Sequence, residues 1–218
     1  MNNNIVTVRV QGDFACFTRP ENKVERVSYP VMTPSAARGV LEAIYWHPQF
    51  RWAIREIQVL AEIKTFSLLR NEVNSKMSLS SEGFFADEDR TQRHAVCLRN
   101  VDYVIVAEPI AKPKTEPAAK HRDIFRKRVA KGQCFHRPAL GTREFAAEFS
   151  PATDAPAPLA DLNQDLGLML WDMDFPERDE KNMPLGGSKS VPITPLFFAA
   201  TLRAGVMRVP RYPIGRGE

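Results

Sequence analysis

Thr33-Pro34-Ser35-Ala36-Ala37-Arg38-Gly39-Val40-Leu41-Glu42-Ala43-Ile44-Tyr45-Trp46-His47-Pro48 carries both punctuation marks of a helix. Threonine is a good N-cap, and proline is at home in the first helical position. Ala36, Ala37, Val40, Leu41, Ile44 and Tyr45 recur at i, i+3, i+4 spacing, which makes one apolar face. Pro48 stops the run, because the residue before a proline disfavours the α region. Upstream, residues 3–12 alternate Ile5, Thr7, Arg9 and Gln11 with Val6, Val8 and Val10, the period of a strand. A loop from Phe14 to Pro30 carries Arg19, Lys23 and Arg26. Downstream, Ile57, Val59, Ala61 and Ile63 predict a second strand. Residues 70–93 read as a long polar loop, and residues 94–108 as a third strand. A basic, proline-punctuated linker, Lys112 to Pro117, leads to a second helix over 118–131. Gly132 follows in the C′ position. Residues 133–149 read as strand.

The resulting order, β-α-β-β-α-β, predicts an α+β fold of the ferredoxin-like kind. Ser150-Pro151-Ala152-Thr153-Asp154-Ala155-Pro156-Ala157-Pro158 is a break in composition. It divides the chain into a ferredoxin-like part, 1–149, and a small antiparallel β subdomain, 150–218. The apolar runs Leu166–Trp171, Leu196–Ala200 and Val206–Val209 supply the strands of the second part.

The 218 residues include 44% hydrophobic and 26% charged side chains, the composition of a soluble globular protein. No apolar run approaches the ~20 residues that span a bilayer, so no membrane partner is expected. Three widely spaced cysteines, Cys16, Cys97 and Cys134, point to neither a disulfide framework nor a metal clip, and a reducing cytoplasm is expected. The net charge of +4 is unevenly spread. Residues 112–143 hold ten Lys and Arg against Glu116 and Asp123, a net +8, whereas residues 151–183 are net −6. Such a basic block is the electrostatic footprint of a phosphate backbone. Its plain alternative is a solvated helix face.

Few residues can do chemistry. There are four histidines, and no HExxH, clustered Cys/His set, Walker motif or nucleophile elbow, so no metal and no cofactor are expected. Lys120-His121 opens the second helix. Lys120, Lys127 and Lys131 share one ridge, and His121, Phe125 and Arg128 the next. One imidazole among cations at a helix start suits cleavage of RNA. A base takes the ribose 2′-OH proton, the oxygen attacks the neighbouring phosphorus, and cations hold the extra negative charge. The plain alternative is that His121 faces solvent. Tyr45 continues the Ala37–Leu41–Tyr45 ridge and reads as a core aromatic, although its hydroxyl could reach a cleft from the last turn. His47 reads as a turn residue. His136 and Arg137, near the end of the basic block, could contact phosphate.

Six pieces of the chain together resemble one family. They are Gly12-Asp13-Phe14-Ala15-Cys16-Phe17, Glu42 through Pro48, Lys120-His121, Gly132 through Phe145, Trp171-Asp172-Met173-Asp174-Phe175 and Pro195-Leu196-Phe197-Phe198. The family is the CRISPR-associated Cas-five family, in its type I-C (Dvulg) subtype, and the likeness spans nearly the whole chain. The resemblance implies an RNA-binding ferredoxin-like domain that cuts precursor transcripts at the base of the repeat hairpin without metal. The product would end in a 2′,3′-cyclic phosphate. It also implies that the protein stays on the 5′ handle of the guide RNA, beside other subunits of the effector complex. The family's catalytic tyrosine, lysine and histidine fall on Tyr45, Lys120 and His121. The basic residues Arg19, Lys23, Arg26, Arg122, Arg126, Lys127, Arg128, Lys131, Arg137 and Arg143, with His136, are the expected RNA contacts. A second reading is a guide-RNA-binding subunit without catalysis. A third is a protein that binds double-stranded DNA.

Overall fold

A computed structural model describes residues 4–22, 24–76, 83, 85–174 and 193–215. Lys23 lies outside the described residues, as do residues 175–192, the end of the acidic segment included. The strands are β1 (Val6–Ala15), β2 (Arg26–Val27), β3 (Phe50–Val59), β4 (Thr65–Val73), β5 (Arg90–Ala111), β6 (Glu148–Pro151), β7 (Gln164–Asp174), β8 (Thr194–Arg203) and β9 (Val206–Arg208). Among the described residues, two helices, α1 (Pro34–Ile44) and α2 (Ala118–Ala130), are the other long elements.

The strands form one sheet in the order β6-β1-β5-β3-β9-β8-β7, with β2 and β4 also paired to β5. Apart from β2, every pairing is antiparallel. The protein is therefore α+β. Val6, Val8 and Val10 of β1 are buried, as their alternation requires, and they face α2 and the core around Ile105. α1 packs on β3 and β7, and α2 on β5 and β6. The buried face of α1 is Ala37, Val40, Leu41 and Ile44. Each such aliphatic side chain contributes about 1.5–3 kcal/mol on full burial. Thr33 caps α1 as expected, accepting from the Ala36 N–H at 3.2 Å.

Several elements differ from expectation, each for a physical reason. Residues 70–93 are not one long loop: β4 and the start of β5 pair from Thr65↔Leu98 to Val73↔Arg90. This ribbon is exposed on one side and only half-buried on the other, so it needs no apolar stripe for periodicity to reveal. The second strand begins at Phe50 rather than Ile57, because Arg51, Arg55 and Glu56 mask its pattern. Residues 133–147 are mostly turns, not strand, and only Glu148–Pro151 joins the sheet. The turn at 138–147 is a tight loop, with hydrogen bonds from Leu140 N to Phe145 O and from Ala147 N to Pro138 O. Gly141 makes it possible: its φ is +90°, and an added Cβ would stand 2.0 Å from the Cys16 carbonyl oxygen. Beyond residue 150, β9 hydrogen-bonds to β3, so the C-terminal strands continue the same sheet. Arg38 ties this region to α1 through two hydrogen bonds to Asp172, of 2.7 and 2.8 Å.

Candidate active site

The end of α1, the start of β3 and the first turns of α2 meet in one packed cluster. Tyr45 is the C-cap of α1, and its N–H still bonds to Leu41 O. Trp52 of β3 donates its indole N–H to the Tyr45 carbonyl at 3.1 Å, which fixes the cap where helical bonding ends. Both residues are buried. The basic helix turns His121, Phe125 and Val129 inward. That corrects the solvent-facing alternative for His121, which is only 1% exposed.

Tyr45 Oη lies 3.0 Å from His121 Nδ1. Phe50 stacks on the imidazole with centroids 4.5 Å apart, and on the Tyr45 ring at 5.6 Å. Arg128 holds its guanidinium over the Tyr45 ring and donates to Ile44 O at 2.9 Å. His121 Nε2 is buried and has no hydrogen-bond partner among the described residues. Tyr45 is thus a core aromatic, and its hydroxyl meets the buried His121 ring.

Electrostatics follow from this packing. Burial, with the charges of His47 and Lys120, holds the His121 imidazole below its usual pKa, and Glu116 opposes the shift. Burial pushes the Tyr45 phenol up, against the lowering influence of Arg128 and Lys120. Lys120 itself is half exposed at the pocket rim and donates to Glu116 Oε1 at 2.6 Å. That pair lowers the Glu116 carboxyl. Glu116 and Phe50 were not singled out from sequence. Glu116 stands four residues before Lys120, the spacing of a helical ion pair, so it left a readable signal. Phe50 left none.

The expected RNA contacts divide into groups. His136, Arg137 and Arg143 line a cleft of about 760 Å³ with Thr18, Ser35 and Gly39. Ala43, a wall residue of this cleft two positions before Tyr45, accepts from the Phe135 and His136 N–H groups. Arg122 pairs with Asp123, and Arg126 donates to Ile5 O at 2.7 Å. Lys127 lies in the last turn of α2, and Lys131 is its C-cap. Arg19 sits over the Tyr29 ring, and Arg26 faces Glu72. Among the described residues, no three His, Cys, Asp or Glu side chains are grouped to hold a metal, and no helix is long and apolar enough to cross a membrane.

Fold and site together describe an α+β protein with a buried tyrosine–histidine pair and a separate cleft lined by His136, Arg137 and Arg143. Residues 5–210 match the family model for CRISPR-associated protein (Cas_Cas5), in its Cas5d form. The chain is 48% identical over 209 residues to the CRISPR pre-crRNA endoribonuclease Cas5d of Thermus thermophilus, covering 93% of this chain and 90% of that protein. It is 42% identical over 230 residues to the protein of the same name from Mannheimia succiniciproducens, covering 96% of both. The chain therefore belongs to the Cas5d family of CRISPR-associated proteins. Two solved structures share its fold at a TM-score of 0.64. One is a functionally uncharacterized protein, SMU1763c from Streptococcus mutans, 22% identical, covering 94% of this chain and 91% of its own. The other is a CRISPR-associated protein, 23% identical, covering 94% of this chain and 90% of its own.

Proposed function

We propose that this protein is a metal-independent endoribonuclease that cuts CRISPR precursor transcripts within the repeat, at the base of its hairpin. It then stays on the guide 5′ handle as a subunit of a type I-C effector complex. The reading draws its substrate from the activity named for the two relatives. The observation that carries it on this chain is the buried 3.0 Å contact between Tyr45 Oη and His121 Nδ1. With Nδ1–H donating to the tyrosine oxygen, Nε2 keeps its lone pair for the ribose 2′-OH proton. Burial keeps that lone pair available by disfavouring the imidazolium. The 2′ oxygen attacks the adjacent phosphorus, the 5′ oxygen leaves, and the upstream fragment ends in a 2′,3′-cyclic phosphate. Lys120, at the rim, supplies positive charge to the non-bridging oxygens. The unpartnered Nε2 carries a desolvation cost of about 1–3 kcal/mol, which the RNA hydroxyl relieves on binding.

RNA handling is assigned to residues 1–149 as a ferredoxin-like unit. Supporting this, β1, β3, β5 and β6 stand in the order β6-β1-β5-β3, with α1 and α2 as the two crossovers. The basic cleft would hold single-stranded RNA beside the pocket. The test is repeat RNA with a single 2′-deoxy residue just 5′ of the scissile phosphate. It should bind and not be cut, while the all-ribose RNA should be cut in excess EDTA. Cleavage of the deoxy substrate, or loss of activity in EDTA, would overturn the mechanism.

A further inference from the structure

A second imidazole stands beside His121. The His47 ring lies 5.5 Å from it, centroid to centroid, with the planes tilted by 31°. His47 follows the C-cap of α1 and precedes Pro48, so its backbone is steered away from helix and its side chain turns toward the pocket. It is half-buried at the rim, where His121 is buried beneath. The Gln49 N–H points at His47 Nδ1 from 3.4 Å, a long contact that only the neutral ring accepts; protonation of the ring ends it and leaves an N–H on both nitrogens, with Nε2–H free of the backbone. The ionisable groups around the pair are Glu116 and Lys120 from the start of α2, Arg128 further along it, and Tyr45 from α1.

Transesterification of RNA needs an acid as well as a base, because the 5′ alkoxide is a poor leaving group. Lys120 suits that role badly, because its ammonium is held by Glu116. Tyr45 is committed to His121. His47 remains. Two imidazoles this close do not readily hold two protons, since charge on one disfavours charge on the other. When the pair carries a single proton, one ring is cationic and the other neutral. That is one acid and one base.

We propose that His47 is the general acid of the cleavage, protonating the leaving 5′ oxygen while His121 takes the 2′-OH proton. This rests on the endoribonuclease reading above. The O2′–P bond forms as the P–O5′ bond breaks. One proton moves from O2′ to His121 Nε2 and another from His47 Nε2 to O5′. The products are a 2′,3′-cyclic phosphate and a 5′ hydroxyl, and no further reactant is needed.

The experiment maps the cut made by the wild-type protein on a repeat RNA, then replaces the bridging 5′ oxygen at that phosphate with sulfur. A thiolate leaves without an acid. His47→Gln should cut the oxygen substrate roughly 10²–10⁴-fold more slowly. It should cut the sulfur substrate within a few-fold of wild type. His121→Gln should be slow on both. Wild-type speed of His47→Gln on the oxygen substrate, or equal slowness on both, would overturn the proposal. Failure of the wild-type protein to cut any repeat RNA would instead overturn the endoribonuclease reading beneath it. A His47→Asn variant, smaller but still polar, repeats the comparison should the glutamine variant fold poorly.

Discussion

Tyr45 Oη and His121 Nδ1 meet at 3.0 Å across 76 residues of chain. Neither side chain could adopt this position from its own helix alone. The tyrosine is held by Trp52 through its backbone carbonyl, and the imidazole by the ring of Phe50. The contact orients the imidazole and selects which ring nitrogen keeps a lone pair, the service that a carboxylate gives in many histidine-based sites.

Removing only the hydroxyl tests that service. Tyr45→Phe keeps the ring and its packing on Phe50, and leaves His121 Nδ1 without its partner. Chemical or thermal unfolding should show a loss of about 1–3 kcal/mol. Single-turnover cleavage should be slower, with RNA binding unchanged. Full activity in a stable variant would make Tyr45 a packing residue only.

His121→Ala should slow cleavage by roughly 10²–10⁴-fold, the usual size of a general acid–base contribution. Lys120→Ala should slow it by roughly 10²–10³-fold, as for a lost donor to developing negative charge. Gel-shift affinity for the repeat RNA should change little in either case. A fall in affinity as large as the fall in rate would place both residues in binding.

The acid limb of the rate profile should lie below the ~6.5 of an ordinary imidazole, because burial, His47 and Lys120 all disfavour the charged form of His121. Lys120→Gln should move that limb up in pH. Glu116→Gln should move it further down, since the carboxylate is the group that opposes the shift. Stability carries the same sign. The unfolded chain takes up the His121 proton first, so the contribution is complete above the unfolded pKa and is lost as pH falls through the folded one. Urea unfolding across pH 4–7 should show this slope in the wild type and a shallower one in His121→Gln.

Charge in the cleft and charge on the basic helix should separate in salt titrations. Arg137→Gln and Arg143→Gln, both in the cleft wall, should each shallow the log–log salt dependence of RNA binding by about 0.7. Arg126→Gln should leave it nearly unchanged, because that guanidinium is already bonded to the Ile5 carbonyl. The reverse pattern would move the RNA track onto the outer face of α2.

Gly141→Ala should lower stability by about 1–3 kcal/mol, the cost of forcing a side chain into a positive φ. The added Cβ also meets the Cys16 carbonyl. The cleft wall that carries Arg143 should loosen with it, so RNA affinity should fall together with the unfolding midpoint.

Much of this protein was legible along the chain because the signals are local. The capped helix at Thr33-Pro34, the alternation of Val6, Val8 and Val10, the glycine stop at Gly132 and the basic block at 112–143 each depend on spacing within a few residues. The likeness to a known family drew Tyr45, Lys120 and His121 together by order and spacing before any geometry did. What the chain could not disclose is set by contacts between distant segments. The β4–β5 ribbon has no apolar stripe, because solvent wets one side and half-reaches the other. The turns at 133–147 take their shape from docking Gly141 on Cys16. His121 is buried despite its basic helix, because Phe50 from β3 and Tyr45 from the end of α1 arrive to cover it. His47 became a partner of that ring for the same reason. Periodicity says which side of a helix is apolar; only packing says which side chain closes over which, because burial is a property of the assembled core and not of any one segment.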